Sequence, residues 1–136
     1  MAETIVRNID RIRQAISAIC AKTGKNQREI TVVAVTKGRT VEQIKEVIAQ
    51  DLADIGENRI QKALIKYDTM PGAQYAPRLK WHMIGHLQTN KVIAAVRLFD
   101  LIQSVDSLRL AEAISKEAGK INKHQDILLE VKTSPE

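Results

Sequence analysis

Ile5, Ile9, Ile12, Ile16 and Ile19 recur at alternating spacings of four and three, which lays one apolar stripe along a helix of about five turns. The stretch Lys22-Thr23-Gly24-Lys25-Asn26 ends that stripe, with Gly24 placed as a helix C-cap. At Ile30 the pattern changes. Ile30-Thr31-Val32-Val33-Ala34-Val35-Thr36-Lys37 is a short, β-branched run bounded by polar residues and reads as a buried strand. Helical and extended patterns then alternate. Thr40 and Gln43 have the spacing of a capping box and open a helix that turns Ile44, Val47 and Ile48 inward. Ala53 to Gly56 reads as a second strand, followed by a helix carrying Ile60, Ala63, Leu64 and Tyr67. Residues 68–78, with Pro71, Gly72 and Pro77, read as a loop. Leu79 to Gly85 reads as a third strand, Lys91 to Val96 as a short helix and Leu98 to Val105 as a fourth strand. Ser107 to Ile121 is the next helix, with Leu108, Leu110, Ala111 and Ile114, and Asp126 to Thr133 the fifth strand.

Five strands alternating with helices predict an α/β fold of parallel β/α units joined by right-handed crossovers. The chain has 136 residues, 44% of them hydrophobic and only 3% aromatic, so one domain with an aliphatic core is expected. A net charge of +5 raises the question of nucleic acid. The basic residues are interleaved with acidic ones, as in Arg28-Glu29, Lys45-Glu46 and Lys116-Glu117, and no basic cluster alternates with aromatics. A mildly basic solvated surface is therefore expected, and no nucleic-acid partner. Cys20, the single cysteine, excludes an internal disulfide and sits in a helical pattern beside Ile19 and Ala21, as a buried small side chain would. No apolar run is long enough for a membrane span, and Met1 to Ile5 lacks the pattern of a signal peptide. A cytoplasmic protein is expected.

Four strand ends carry chemistry. Lys37 closes the first strand just before Gly38. Ligands of α/β folds gather at the carboxyl ends of parallel strands, and an amine held there can form a Schiff base with an aldehyde or ketone. The plainer reading is a strand meeting water. In Asp54-Ile55-Gly56-Glu57-Asn58, Gly56 permits close backbone approach, while Asn58 can contact a ligand or cap the next helix with Gln61. In Trp81-His82-Met83-Ile84-Gly85-His86, the two histidines are four apart, a zinc spacing on a helix but not across a strand and its end, so no metal is expected. Ile102-Gln103-Ser104-Val105-Asp106-Ser107 again places small polar groups at a strand end, where Asp106 or Ser107 can also begin a helix.

Together these runs resemble the pyridoxal-phosphate homeostasis protein family, whose barrel is shared with the N-terminal domain of alanine racemase. The resemblance rests on Val33-Ala34-Val35-Thr36-Lys37, Gly56-Glu57-Asn58, Trp81 to Lys91, Phe99 to Ile102 and Ser104 to Ser107, and runs from about residue 5 to the end of the chain. It implies a partial (β/α)8 TIM-type barrel of about five parallel strands with surrounding helices. It also implies that Lys37 holds pyridoxal 5'-phosphate as a Schiff base, with Asn58, His82 and Ser104 lining the cofactor's side of the barrel mouth. Two departures stand out. Lys132 and Pro135 occupy positions where the family often has Asn and Gly, and the sequence stops after the fifth strand of a barrel that has eight in the family.

Residues 1–136 are accordingly expected to be the N-terminal portion of such a barrel, truncated after the fifth strand. The expected function is that of a cofactor carrier or homeostasis protein without catalysis, or a fragment of one with weak or absent cofactor binding. Barrels of this kind commonly hold phosphate after strands seven and eight. The alternative is a pyridoxal-dependent enzyme such as an amino-acid racemase. That reading needs acid/base groups on both faces of a substrate, and the only tyrosines, Tyr67 and Tyr75, follow no strand end. Unpaired strand edges and an uncovered interior predict a homo-oligomer formed through the open barrel.

Overall fold

The computed structural model describes residues 2–70 and 79–135, the side chains of Ala2 and Glu3 excepted. Residues 71–78, including most of the expected loop and Tyr75, lie outside the described residues. In chain order the elements are α1 (Ala2–Thr23), β1 (Ala34–Val35), α2 (Val41–Ile48), β2 (Asp54–Glu57), α3 (Ile60–Thr69), β3 (Lys80–Met83), α4 (Val92–Leu98), β4 (Leu101–Val105), α5 (Leu108–Lys120) and β5 (Asp126–Leu129). Short 3-10 turns lie at Gln27–Glu29 and Thr89–Lys91.

The five strands form one sheet in the order β1-β2-β3-β4-β5, and every pairing is parallel. Strands that neighbour one another in space in the same order as in sequence, with β1 to β4 each followed by a helix, repeat the unit of a (β/α)8 barrel. The molecule is a partial barrel of this type. Its register sets Ile55 against Trp81 and Met83 against Ile102. These four side chains are buried and form the strand half of the core, with Ala63, Val96 and Leu110 among their helical partners. Phe99 is fully buried. Burying an aliphatic or aromatic side chain of this size contributes about 1.5–3 kcal/mol.

Local signals behave as their chemistry requires. Gly24 closes α1 with φ +68. The Thr40 hydroxyl accepts from the Gln43 amide and the Gln43 side chain accepts from the Thr40 amide, completing the capping box of α2. Ser107, rather than Asp106, caps α5 by accepting from the Leu110 amide. Cys20 is buried, as expected from its surroundings.

Two expectations need correction. The run from Ile30 to Lys37 pairs only at Ala34 and Val35, and it is not a buried strand, for Ile30 and Val35 are 44% and 50% exposed. The cause is position: β1 is an edge of the sheet, with β2 on one side and no strand on the other. The isoleucine stripe of α1 is also only partly covered. Ile9 is buried, while Ile12 and Ile19 remain exposed because the helix packs chiefly on α2 and the neighbouring 3-10 turn. Among the described residues no helix is long and apolar enough to cross a membrane.

Lys123 links the layers on the far side of the sheet. Its ammonium donates to the carbonyls of Val96 (2.6 Å) and Phe99 (2.8 Å), satisfying the end of α4. Burial pushes its pKa below the ordinary value of 10.5, against the opposing pull of Asp100 and Asp126. The unfolded chain therefore binds this proton more readily than the folded one, so stability gained from this residue grows as pH rises towards 10.5. Lys123→Met leaves two carbonyls without their donor and should cost about 1–3 kcal/mol in urea unfolding at neutral pH. The gap between wild type and variant should widen between neutral and alkaline pH. A gap that narrows over that range would contradict the assignment.

Candidate functional site

Lys37, Asn58, His82 and Ser104 all fall on the carboxyl halves of β1–β4 or just beyond them, the end of the sheet where the sequence places chemistry. They do not share one cavity. Lys37 and Asn58 line a rim cavity of about 640 Å³ together with Arg39, Glu57, Arg59 and Lys66, whereas His82 and Ser104 are buried elsewhere.

The rim is fixed by a buried carboxylate. Glu57, at the end of β2, is 1% exposed. Its Oε1 accepts from the Thr36 hydroxyl at 2.5 Å and from the Lys66 ammonium of α3. Lys66 also donates to the Thr36 carbonyl at 2.6 Å, and the Thr36 amide donates to the Gly56 carbonyl at 3.0 Å. Thr36 is thus held at its amide, hydroxyl and carbonyl, and the residue that follows is Lys37. Gly38 then turns the chain with φ +70, a conformation that side chains rarely adopt. Lys37 stands exposed between a clamped residue and this turn, with no ion-pair partner among the described residues.

Asn58 is not the cap of α3. That position is Arg59, whose side chain makes no capping hydrogen bond. What fixes Asn58 is contact with the end of β3: a Cβ added to Gly85 would lie 2.4 Å from the Asn58 carbonyl oxygen and 2.8 Å from its Cα. The glycine is required by the closeness of two backbones.

His82 lies on the opposite face of the sheet from the helix-packed core, in register with Gly56 and Leu101. Its Nε2 is 2.7 Å from Asp54 Oδ1 and its Nδ1 is 2.9 Å from the Gln103 amide nitrogen. With Asp54 as acceptor and the Gln103 amide as donor, the imidazole carries its hydrogen on Nε2. Both ring nitrogens are occupied, so the ring face is what His82 can offer a ligand. His86 is exposed and stands 3.7 Å from Asp106, well away from this network. Among the described residues no group of three His, Cys, Asp or Glu is arranged to hold a metal. Ser104 is 3% exposed, and its Oγ has no hydrogen-bond partner among the described residues.

Sequence reading missed Glu57 as the organiser of the rim, and Lys66, Asp54 and Gln103 as partners. The strand register holds the missing signal for two of them: Asp54 lies two residues before Gly56 and Gln103 two after Leu101, which puts both on the face of His82.

No family model matches the sequence. Curated relatives do. The chain is 35% identical over 128 residues to the pyridoxal phosphate homeostasis protein of Aquifex aeolicus, an alignment covering 94% of this chain and 54% of that protein. It is 36% identical over 107 residues to the protein of the same name from Synechocystis, covering 79% of this chain and 48% of the relative. The chain is a relative of the pyridoxal phosphate homeostasis proteins. It spans about half the length of the curated relatives it matches. Among solved structures, PipY of Synechococcus elongatus with pyridoxal phosphate bound superposes with a TM-score of 0.76 at 33% identity, covering 89% of this chain and 56% of that one. A protein of unknown function from Bifidobacterium adolescentis gives 0.89 at 32% identity, covering 99% of this chain and 57% of that chain.

The two glycines near the site should respond differently to alanine. Gly85→Ala drives a methyl into the Asn58 backbone and should cost about 1–3 kcal/mol in thermal or urea unfolding. At Gly56 a Cβ would meet only side-chain carbons of Ile84 and Val33, at 3.0–3.3 Å, which can move aside. Gly56→Ala should therefore be the milder change. Equal losses would show that the Asn58 backbone is not the constraint.

Proposed function

We propose that this chain supplies the first five strands, four of them with their following helix, of a pyridoxal phosphate homeostasis protein and engages the cofactor through Lys37. The observation that carries the reading is the placement of Lys37: an exposed amine without an ion-pair partner, on a cavity at the strand ends, behind a residue clamped at three backbone and side-chain atoms. The residues present fit such a cofactor. When bound, pyridoxal phosphate supplies an aldehyde that condenses with a lysine amine. Lys37 provides the nucleophile, Asn58 a donor and acceptor on the same cavity, His82 an oriented ring face, and Ser104 a buried hydroxyl still lacking a partner.

A carrier role fits better than racemisation. Tyr67 packs edge-on against Trp81, with ring centroids 5.7 Å apart, and so lies on the helix-covered side of the sheet, away from the face of His82. Binding is expected to be weak. Lys37 is exposed, and water reaching the amine competes with the cofactor's contacts. Homeostasis in a reducing cytoplasm suits a chain whose one cysteine is buried and unpaired. The open edges add a further expectation. Val35 on β1 and Leu129 on β5, the latter 71% exposed, offer unpaired backbone and apolar surface to a second copy.

Pyridoxal phosphate added to the purified chain, followed by borohydride reduction and peptide mass spectrometry, should label Lys37 above the other lysines, and Lys37→Ala should remove most of the label. Labelling spread evenly over surface lysines would defeat the assignment, and stoichiometric tight incorporation would defeat the expectation of weakness. Light scattering should show self-association that rises with concentration; a monomer at every concentration would contradict assembly through the open edges.

A further inference from the structure

Lys37 does not owe its place to the strand before it. β1 pairs only at Ala34 and Val35, and its outer edge has no neighbouring strand. Beyond that ladder a single backbone bond, from the Thr36 amide to the Gly56 carbonyl at 3.0 Å, holds the chain to β2. The end of so short an edge strand is where backbone frays. A tight turn follows. The Arg39 amide donates to the Thr36 carbonyl at 3.0 Å, closing four residues with Lys37 second and Gly38, at φ +70, third. A positive φ at the third position marks a type II turn. The direction in which Lys37 leaves this turn is set by Thr36, the residue on which the turn begins.

Thr36 is fastened from the helix layer. It is buried, and its hydroxyl donates to Glu57 Oε1 at 2.5 Å. The Lys66 ammonium of α3 reaches the same carboxylate oxygen and donates to the Thr36 carbonyl at 2.6 Å. The carbonyl that closes the turn is therefore the one that α3 holds through Lys66. Hydrogen bonds with an ionised partner are roughly twice as strong as neutral ones, so these contacts outweigh the one backbone bond to β2. We infer that Glu57 and Lys66 are positioning residues for Lys37: acting through Thr36, they hold the turn that aims its amine onto the cavity. Lys37 and Lys66 line the same cavity and divide the work. Lys66 is consumed by its carboxylate and carbonyl, which leaves Lys37 as the amine that reacts. The inference deepens the role proposed for Lys37 and rests on that reading for one of its two readouts.

The deciding variant is Thr36→Val, which removes the hydroxyl and keeps the branched shape; Thr36→Ser restores the hydroxyl. Amide hydrogen exchange needs no cofactor. In Thr36→Val the Arg39 amide should exchange about tenfold faster than in the wild type, the value of one hydrogen bond to a charged group, and Thr36→Ser should return it to the wild-type rate. Labelling with pyridoxal phosphate and borohydride gives the second readout. The rate at Lys37 should fall by about ten- to a hundredfold in Thr36→Val, the cost of a nucleophile misplaced by about an ångström, and recover in Thr36→Ser. Lys66→Met/Glu57→Gln removes both charges together and should reproduce both effects by a second route. Lys123, held by two carbonyls on the far side of the sheet, should stay unlabelled throughout, since only general unfolding frees it. An Arg39 exchange rate unchanged in Thr36→Val, a loss that Thr36→Ser does not rescue, or a loss accompanied by labelling of Lys123 would overturn the inference. An unlabelled Lys37 in the wild type would sink the cofactor assignment instead, and Arg39 exchange would then decide the inference alone.

Discussion

A carboxylate buried to 1% exposure organises one end of this sheet. Removing an ionised group from water costs several kcal/mol unless a partner and further hydrogen bonds replace the lost hydration. Glu57 meets that demand on one oxygen by drawing in Lys66 from α3 and Thr36 from just beyond β1. Three elements that are separate in sequence are thereby held at one point. Lys66 also takes up the Thr36 carbonyl, so the same ammonium that neutralises the carboxylate fixes the backbone leading to Lys37. If the pair were broken, an uncompensated buried charge and a loosened edge strand would appear together. β1 has only a two-residue ladder to resist that loosening.

Alternation along the strands separates two environments. The helix-packed face is aliphatic and tightly filled by Ile55, Met83 and Ile102. The other face is polar at its centre, where Asp54, His82 and Gln103 form one hydrogen-bonded chain across three adjacent strands. That chain orients an imidazole without leaving a nitrogen over, while Gly56 beside it is covered by the side chains of Ile84 and Val33. Ordering of this kind favours a ring that presents a surface over one that transfers a proton.

Much of the fold was legible because each element obeys a local rule. The 3.6-residue period of the isoleucines gives α1, the Thr40/Gln43 spacing gives α2, and the alternation of short apolar runs with helices gives a parallel sheet. Length of pairing was not legible: β-branched residues from Ile30 onwards signal extended backbone, but an edge strand pairs only where its single neighbour reaches. Lys37 and Asn58 were readable as strand-end residues, and the cavity brings them together. The role of Glu57 was not readable, because its partners lie 21 residues before it and nine after it, and only the packing of α3 against β2 brings them within reach. The basic residues likewise look scattered along the chain, with acidic neighbours beside several of them. Register and helix placement gather five of them on one cavity.

That gathering has a consequence for stability. Like charges converging on one rim repel one another, more strongly where the cavity wall excludes water, and salt screens the repulsion only over about 8–10 Å. A fold with a small core does not accumulate such repulsion for packing reasons, since the exposed cations at Arg39, Arg59 and Lys62 contribute nothing to the hydrophobic cluster. Because the Glu57–Lys66 pair at the base of the rim also positions Thr36, charge at the rim and order at Lys37 are linked through one shared set of contacts.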